Sequence, residues 1–143
     1  MISAVDSRDV SKPPPAHYSP ESVEASRAVW EGIGRCMSPP LSISLLTFTD
    51  MQAKYDADKA LHGTQLAFTI LRPGRLTEEP AAGAQVGRTQ MGTTSRELVA
   101  QTVWAVLDQP GSAGLTLDVL DGQGVLKDEV EKAVKERVDA WTG

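Results

Sequence analysis

Cysteine occurs once, at Cys36, so no internal disulfide can form and a reducing compartment is the default. Basic charge is not clustered: 14 lysines and arginines are scattered along 143 residues of net charge −5. That pattern argues against a surface tracking nucleic-acid phosphates, whose footprint is clustered Lys and Arg. Long hydrophobic runs are missing. The longest apolar-leaning stretch, "LSISLLTF" (Leu41 to Phe48), is far shorter than the about 20 residues needed to span a bilayer. The start, "MISAVDSRDV", lacks the basic end and apolar run of a secretory leader. His17 and His62 stand apart from any Cys or carboxylate cluster at ligand spacing, so no metal is expected. No G-x-S-x-G elbow occurs. The expectation is a soluble, cytoplasmic, mildly acidic protein with no nucleic-acid or membrane partner.

What is there reads as one modest domain, with 41% apolar and 23% charged residues. "ISAV" (Ile2 to Val5) reads as the end of a strand, and "SRDVSKPPPAHYSP" as a proline-rich loop. Ser19 as N-cap and Pro20 at the first helical position open a helix. "RCMSPPLSISLLTFTD" (Arg35 to Asp50) is incoherent: its prolines block a helix, and its alternation is too short for a strand. A helix resumes at Met51 and ends near His62–Gly63. "LAFTILRPG" (Leu66 to Gly74) is the kind of apolar run that is buried on both faces of a parallel sheet. "RLTEEPAAGAQVGRTQMG" reads as loop. A capping box of Thr94 and Glu97 starts the next helix, whose apolar face is Val99, Val103, Val106 and Leu107. "LTLDVL" reads as a strand, "DGQG" as a turn, and the remainder as a helix with Leu126, Val130, Val134 and Val138 inside. Strands alternating with helices predict an α/β fold: a three-stranded, mostly parallel sheet with flanking helices.

At "AKYDADKAL", "TILRPGRLTEEP" and "SRELVA" the chain resembles the carboxy-terminal half of atypical short-chain dehydrogenase/reductases, close to the fungal flavin- and biliverdin-reductase-like proteins. The resemblance implies a partial Rossmann-like fold binding NAD(P) at the carboxyl ends of its strands. It also implies an intact relative that reduces a small carbonyl, quinone or flavin. The pyrophosphate of such a cofactor sits on a Gly-rich loop between a strand and a helix. "GIGRCM" (Gly32 to Met37) follows a helix, and "DGQGVL" lacks the third glycine; both read as turns. The amino-terminal phosphate-binding half is therefore expected to be absent from residues 1–143, and this chain to bind dinucleotide weakly and to be inactive. The alternative is a non-catalytic remnant or a nucleotide-sensing protein. The sheet edge so exposed makes self-association a further expectation.

The family's chemistry uses a strand-end Ser and a helical Tyr-x-x-x-Lys. The tyrosine protonates the product oxygen, and the lysine holds the cofactor ribose and lowers the tyrosine pKa. Ser3 falls where the family serine would. Tyr55 and Lys59 match by spelling. However, Ala53, Ala57, Ala60 and Leu61 form the stripe expected to face the sheet, which turns Tyr55 and Lys59 outward. The family register "M-x-A-K" selects Lys54 instead, with Asp50 where the tyrosine belongs. A carboxylic acid ordinarily titrates at about 3.9 against about 10 for a phenol. Asp50 should thus pair with Lys54 rather than act as the acid. The catalytic candidates are Ser3 and Lys54; the cofactor neighbours are Ser3, Lys54, Arg72, Pro73 and Gly74, with a structural salt bridge as the competing role for Arg72. Trp30, Trp104 and Trp141 are expected to pack.

Residues 36–50 read as an irregular insertion, either a natural loop or a retained intron. The intron is favoured because Cys-Met can be encoded with a GTATG donor and Thr-Asp with an AG acceptor. Splicing would then join "EGIGRYMQAKYDADKAL", with a tyrosine four residues before Lys54. Complementary DNA sequenced across this join decides between them.

Overall fold

The computed structural model describes residues 16–24 and 42–141. The expected strand at Ile2–Val5, with Ser3, lies outside the described residues, as do Trp30, Cys36 and the "GIGRCM" turn. Residues 20–24 are helical, and Ser19 caps them as expected, its Oγ accepting from Ser22 N at 3.2 Å.

Helix α1 spans Ser42–His62. It begins well before the expected Met51. Past Pro39 and Pro40 the sequence carries neither Pro nor Gly until Gly63, so nothing interrupts helical hydrogen bonding. Gly63 N closes the helix on Lys59 O at 3.2 Å, and Lys59 and His62 sit in the last turn, where positive charge suits the dipole.

Strand β1 (Thr69–Pro73) pairs in parallel with β5 (Leu115–Asp121), Thr69 opposite Leu115 and Pro73 opposite Val119. The stretch read as loop holds two short strands, β2 (Arg75–Thr77) and β3 (Ala84–Gly87), and β4 (Thr93–Ser95) follows it directly. β3 joins β5 antiparallel, so the main sheet runs β1-β5-β3, while β2 and β4 form a separate parallel pair. The signal in "GAQVG" was slight: Ala84 and Val86 are buried on either side of exposed Gln85.

Helix α2 spans Arg96–Leu107 and α3 spans Leu126–Lys135. The cap of α2 is Ser95, not Thr94: Ser95 Oγ accepts from Leu98 N at 3.0 Å. The buried residues of α2 are Leu98, Thr102 and Val106; of the expected face Val106 is buried and Val103 packs beside the core, while Leu107 is exposed.

The sheet has two unlike faces. Leu71, Leu117 and Val119 pack with Leu98, Val106, Val130 and Ala133 beneath α2 and α3 in one apolar core. The side chains that alternate with these include Arg72, Thr116 and Asp118, all buried. That second face also carries Ile70 and Leu120 but is the more polar of the two, and α1 and the segment after α3 pack on it.

Candidate functional site

Two contacts and the strand register set the direction of α1. Asp58 pairs with Arg72, near the carboxyl end of β1. His62, one turn on, bonds Thr116 Oγ1 at 2.9 Å, and Thr116 stands opposite Ile70. The helix therefore descends as β1 rises. Lys54 stands one turn back from Asp58, about 5.4 Å along the helix, toward the carboxyl end of β1. Asp50 Oδ2 accepts from Lys54 Nζ at 2.6 Å, on side chains 58% and 36% exposed. The carboxylate in the tyrosine's place thus pairs with the lysine.

The inward face of α1 differs from expectation. Tyr55 and Asp58 are buried, whereas Ala53, Ala57 and Ala60 are exposed; Lys59 is also exposed. The cause is the polar sheet face. Arg72 and Thr116 need partners, and Asp58 and His62 supply them where alanines could not. Tyr55 follows because it shares their stripe, and it stacks on Trp141 at 5.6 Å.

Arg72 is turned beneath α1. Its Nε and Nη2 donate to Asp58 Oδ2 at 3.0 and 2.8 Å, and its guanidinium lies 5.4 Å from the Trp141 ring. Pro73 is buried and Gly74 half-buried where the strand ends. Thr94, released from capping, accepts from Gly74 N at 2.8 Å and donates to Val119 O at 2.6 Å. A Cβ on Gly74 would come within 2.3 Å of Gly92 O, so this rim tolerates only glycine without movement. Ser95 N donates to Asp121 Oδ1 at 2.9 Å, which ties the start of α2 to the end of β5. Arg96, beside it, pairs with Glu78 at 2.6 Å.

Asp118 was not singled out in the sequence. It is 5% exposed, accepts from Thr89 N at 2.9 Å, and burial pushes its carboxyl up to about 6 against the pull of that bond and of Arg72. The only signal was its place in a strand buried on both faces. His17 meets Thr89 O at 3.0 Å, and burial lowers its pKa.

Of the groups a dinucleotide would need, Pro73 and Gly74 close the carboxyl end of β1, and Lys54 lies one helical turn before the Asp58 that pairs with Arg72. The pyrophosphate does not fit at "DGQG", although this loop joins β5 to α3. Its amides are taken: Gly122 N bonds Gly83 O at 3.1 Å and Gly124 N bonds Ala84 O at 3.1 Å. A Cβ on either glycine would meet Ala84 within 3.0 Å, so these glycines allow strand packing rather than phosphate approach. Among the described residues no helix is long and apolar enough to cross a membrane.

A family described as NAD(P)H-binding matches residues 25–110. The UPF0659 protein C216.03 of Schizosaccharomyces pombe is 34% identical over 126 residues, covering 85% of this chain and 45% of that protein. YhfK of Bacillus subtilis, described as an uncharacterized sugar epimerase, is 35% identical over 82 residues, 56% of this chain and 38% of that protein. The chain thus spans less than half the length of these relatives. The crystal structure of the oxidoreductase ylbE from Lactococcus lactis superposes with a TM-score of 0.65 at 21% identity, covering 94% of this chain and 50% of that one. That likeness is one of fold: a partial Rossmann-like arrangement of mixed α/β type.

Proposed function

The chain belongs to the NAD(P)H-binding family, and from that premise we propose that it carries the ribose and nicotinamide side of an oxidoreductase fold. Lys54 holds the ribose hydroxyls. The Pro73–Gly74 backbone lies beside the nicotinamide, and because Gly74 N is taken by Thr94, carbonyl oxygens are what this rim offers. Arg72, committed to Asp58, holds α1 rather than the cofactor. When bound, the dinucleotide supplies or accepts a hydride. The intact relative acts on a small carbonyl, quinone or flavin. The single observation behind this reading is the Asp58–Arg72 pair, from which Lys54 is displaced by one helical turn toward the carboxyl end of β1.

A second reading is a non-catalytic or nucleotide-sensing chain, and the Asp50–Lys54 pair favours it for the polypeptide as it stands. A carboxylate at this place keeps the lysine engaged and provides no phenolic proton.

Titration of the full chain with NADPH and NADH, followed by calorimetry, tests both. Binding that weakens in Lys54→Ala supports the first reading; binding without turnover of a quinone or flavin supports the second. No heat at millimolar dinucleotide removes the first. Self-association through a sheet edge is checked by sedimentation in the same samples.

A further inference from the structure

The segment after α3 returns across the polar face of the sheet. Ala140 N donates to Thr116 O at 2.8 Å, and Asp139 Oδ1 accepts from Thr116 N and from Trp141 N, each at 3.0 Å. These bonds engage β5 just past the end of β3, whose last paired residue, Gly87, stands opposite Asp118. They deliver Trp141 to the inward face of α1.

There the indole stacks on two rings of the same helix. Tyr55 lies 5.6 Å away at 21°, and His62 lies 4.4 Å away at 13°. Tyr55 and His62 are two turns apart, a rise of about 10.5 Å, which is room for one flat ring between them. Arg72 faces the same indole at 5.4 Å. Stacking at these separations is favourable, and an arginine near an indole adds to it.

The arrangement constrains one motion above others. If α1 slides toward the carboxyl ends of the strands, His62 presses on the indole; if it slides the other way, Tyr55 does. The Asp58–Arg72 pair lies between these two stops and acts as a pivot. A pivot alone lets the helix rock; a wedge with a ring on each side does not.

We propose that Trp141 is a positioning residue for Lys54. The ring wedged between Tyr55 and His62 sets the height of α1 on the sheet, and so the position of the adjoining Lys54 toward the carboxyl end of β1. This rests on the reading of Lys54 as the ribose-holding group. The role is indirect, acting through the two rings of α1 that the indole stacks on.

The test compares Trp141→Ala, Trp141→Leu and Trp141→Phe in the full chain, with Trp104→Ala as control because Trp104 is 73% exposed. Amide exchange is read across residues 51–62 and across β5, together with the Lys54 side-chain resonance and NADPH affinity. The expected result for Trp141→Ala is exchange in α1 faster by about tenfold while β5 keeps its protection. Trp141→Phe restores both α1 protection and the Lys54 resonance, and Trp104→Ala changes neither. NADPH binding weakens about tenfold in Trp141→Ala, as a misplaced group predicts.

The proposal is overturned if Trp141→Ala leaves α1 exchange and the Lys54 signal unchanged, or if β5 loosens equally. Should the alanine variant not fold, leucine decides. It keeps apolar bulk without stacking, and α1 protection equal to that of phenylalanine sinks the wedge. A parent chain that binds no NADPH refutes the reading of Lys54 while the exchange data still judge the wedge.

Discussion

Arg72 and Asp58 form one ion pair sealed under a helix, with side chains 5% and 0% exposed and Nη2 to Oδ2 at 2.8 Å. A pair so deep gains little over apolar packing, yet losing one member strands the other. Asp58→Ala or Arg72→Met is therefore expected to cost about 3–5 kcal/mol. The double change Asp58→Leu with Arg72→Met is expected to cost less than either alone. Urea unfolding of the three variants checks this; equal or additive losses contradict it.

Thr94 holds the rim beneath Gly74 with one hydroxyl that both accepts and donates. Thr94→Val keeps its shape but leaves the Gly74 amide and the Val119 carbonyl without that partner. The expected loss is about 1–3 kcal/mol. Thr94→Ser retains the hydroxyl and should recover most of it. Thermal unfolding of both variants measures the difference, and identical midpoints count against the bridge.

Gly74 and Gly92 differ in what a methyl group would meet. At Gly74 it meets the backbone oxygen of Gly92 at 2.3 Å; at Gly92 it meets a Leu120 side-chain methyl at 2.9 Å. A side chain yields more readily than backbone. Gly74→Ala should then destabilise by about 1–3 kcal/mol, and Gly92→Ala by distinctly less. Chemical denaturation ranks them, and a reversed order contradicts this account of the rim.

Asp118 makes stability depend on pH. Burial raises its folded-state pKa to about 6 from 3.8. The folded chain therefore binds a proton more readily than the unfolded chain does, and stability falls as pH rises between those two values. The full effect is at most about 3 kcal/mol, from the energy equivalent of each pKa unit. Asp118→Asn keeps an acceptor for Thr89 N and removes the titration. Its stability relative to the parent should rise from about pH 4 to about pH 7. His17 and His62, lowered by burial, act in the opposite sense in both proteins and cancel in the difference. A flat difference curve excludes Asp118 as the cause.

Lys54 and Asp50 should matter little to stability, because their pair is exposed and spaced four apart on a helix. Lys54→Ala is expected to change unfolding free energy by less than about 0.5 kcal/mol. A loss beyond about 1 kcal/mol gives Lys54 a structural role that the geometry does not assign.

The long strands and the two later helices were legible because each repeats a pattern over many residues. "LAFTIL" is an apolar run and "LTLDVL" alternates Leu115, Leu117 and Val119, and their parallel pairing follows from the helix between them. β3 was not legible. Four residues with two small side chains carry no period of their own, and the strand exists because β5 has an edge to pair. The helix cap shifted from Thr94 to Ser95 for a similar reason. Both residues can cap, and the choice went to the one not needed to bridge Gly74 and Val119.

The candidate site divides the same way. Local sequence was enough to expect the pairing of Asp50 with Lys54 and to mark the turn at Pro73 and Gly74. These depend on spacing within one element. The stripe of alanines on α1 pointed the wrong way, because helical periodicity finds apolar residues while this helix covers a polar face. Arg72, Thr116 and Asp118 sit side by side only after β1 and β5 have paired, and only then is it decided that Asp58, His62 and Tyr55 turn inward. A chain encodes its periods residue by residue, but the partner of a buried charge comes from another part of the chain, and assembly alone brings the two together.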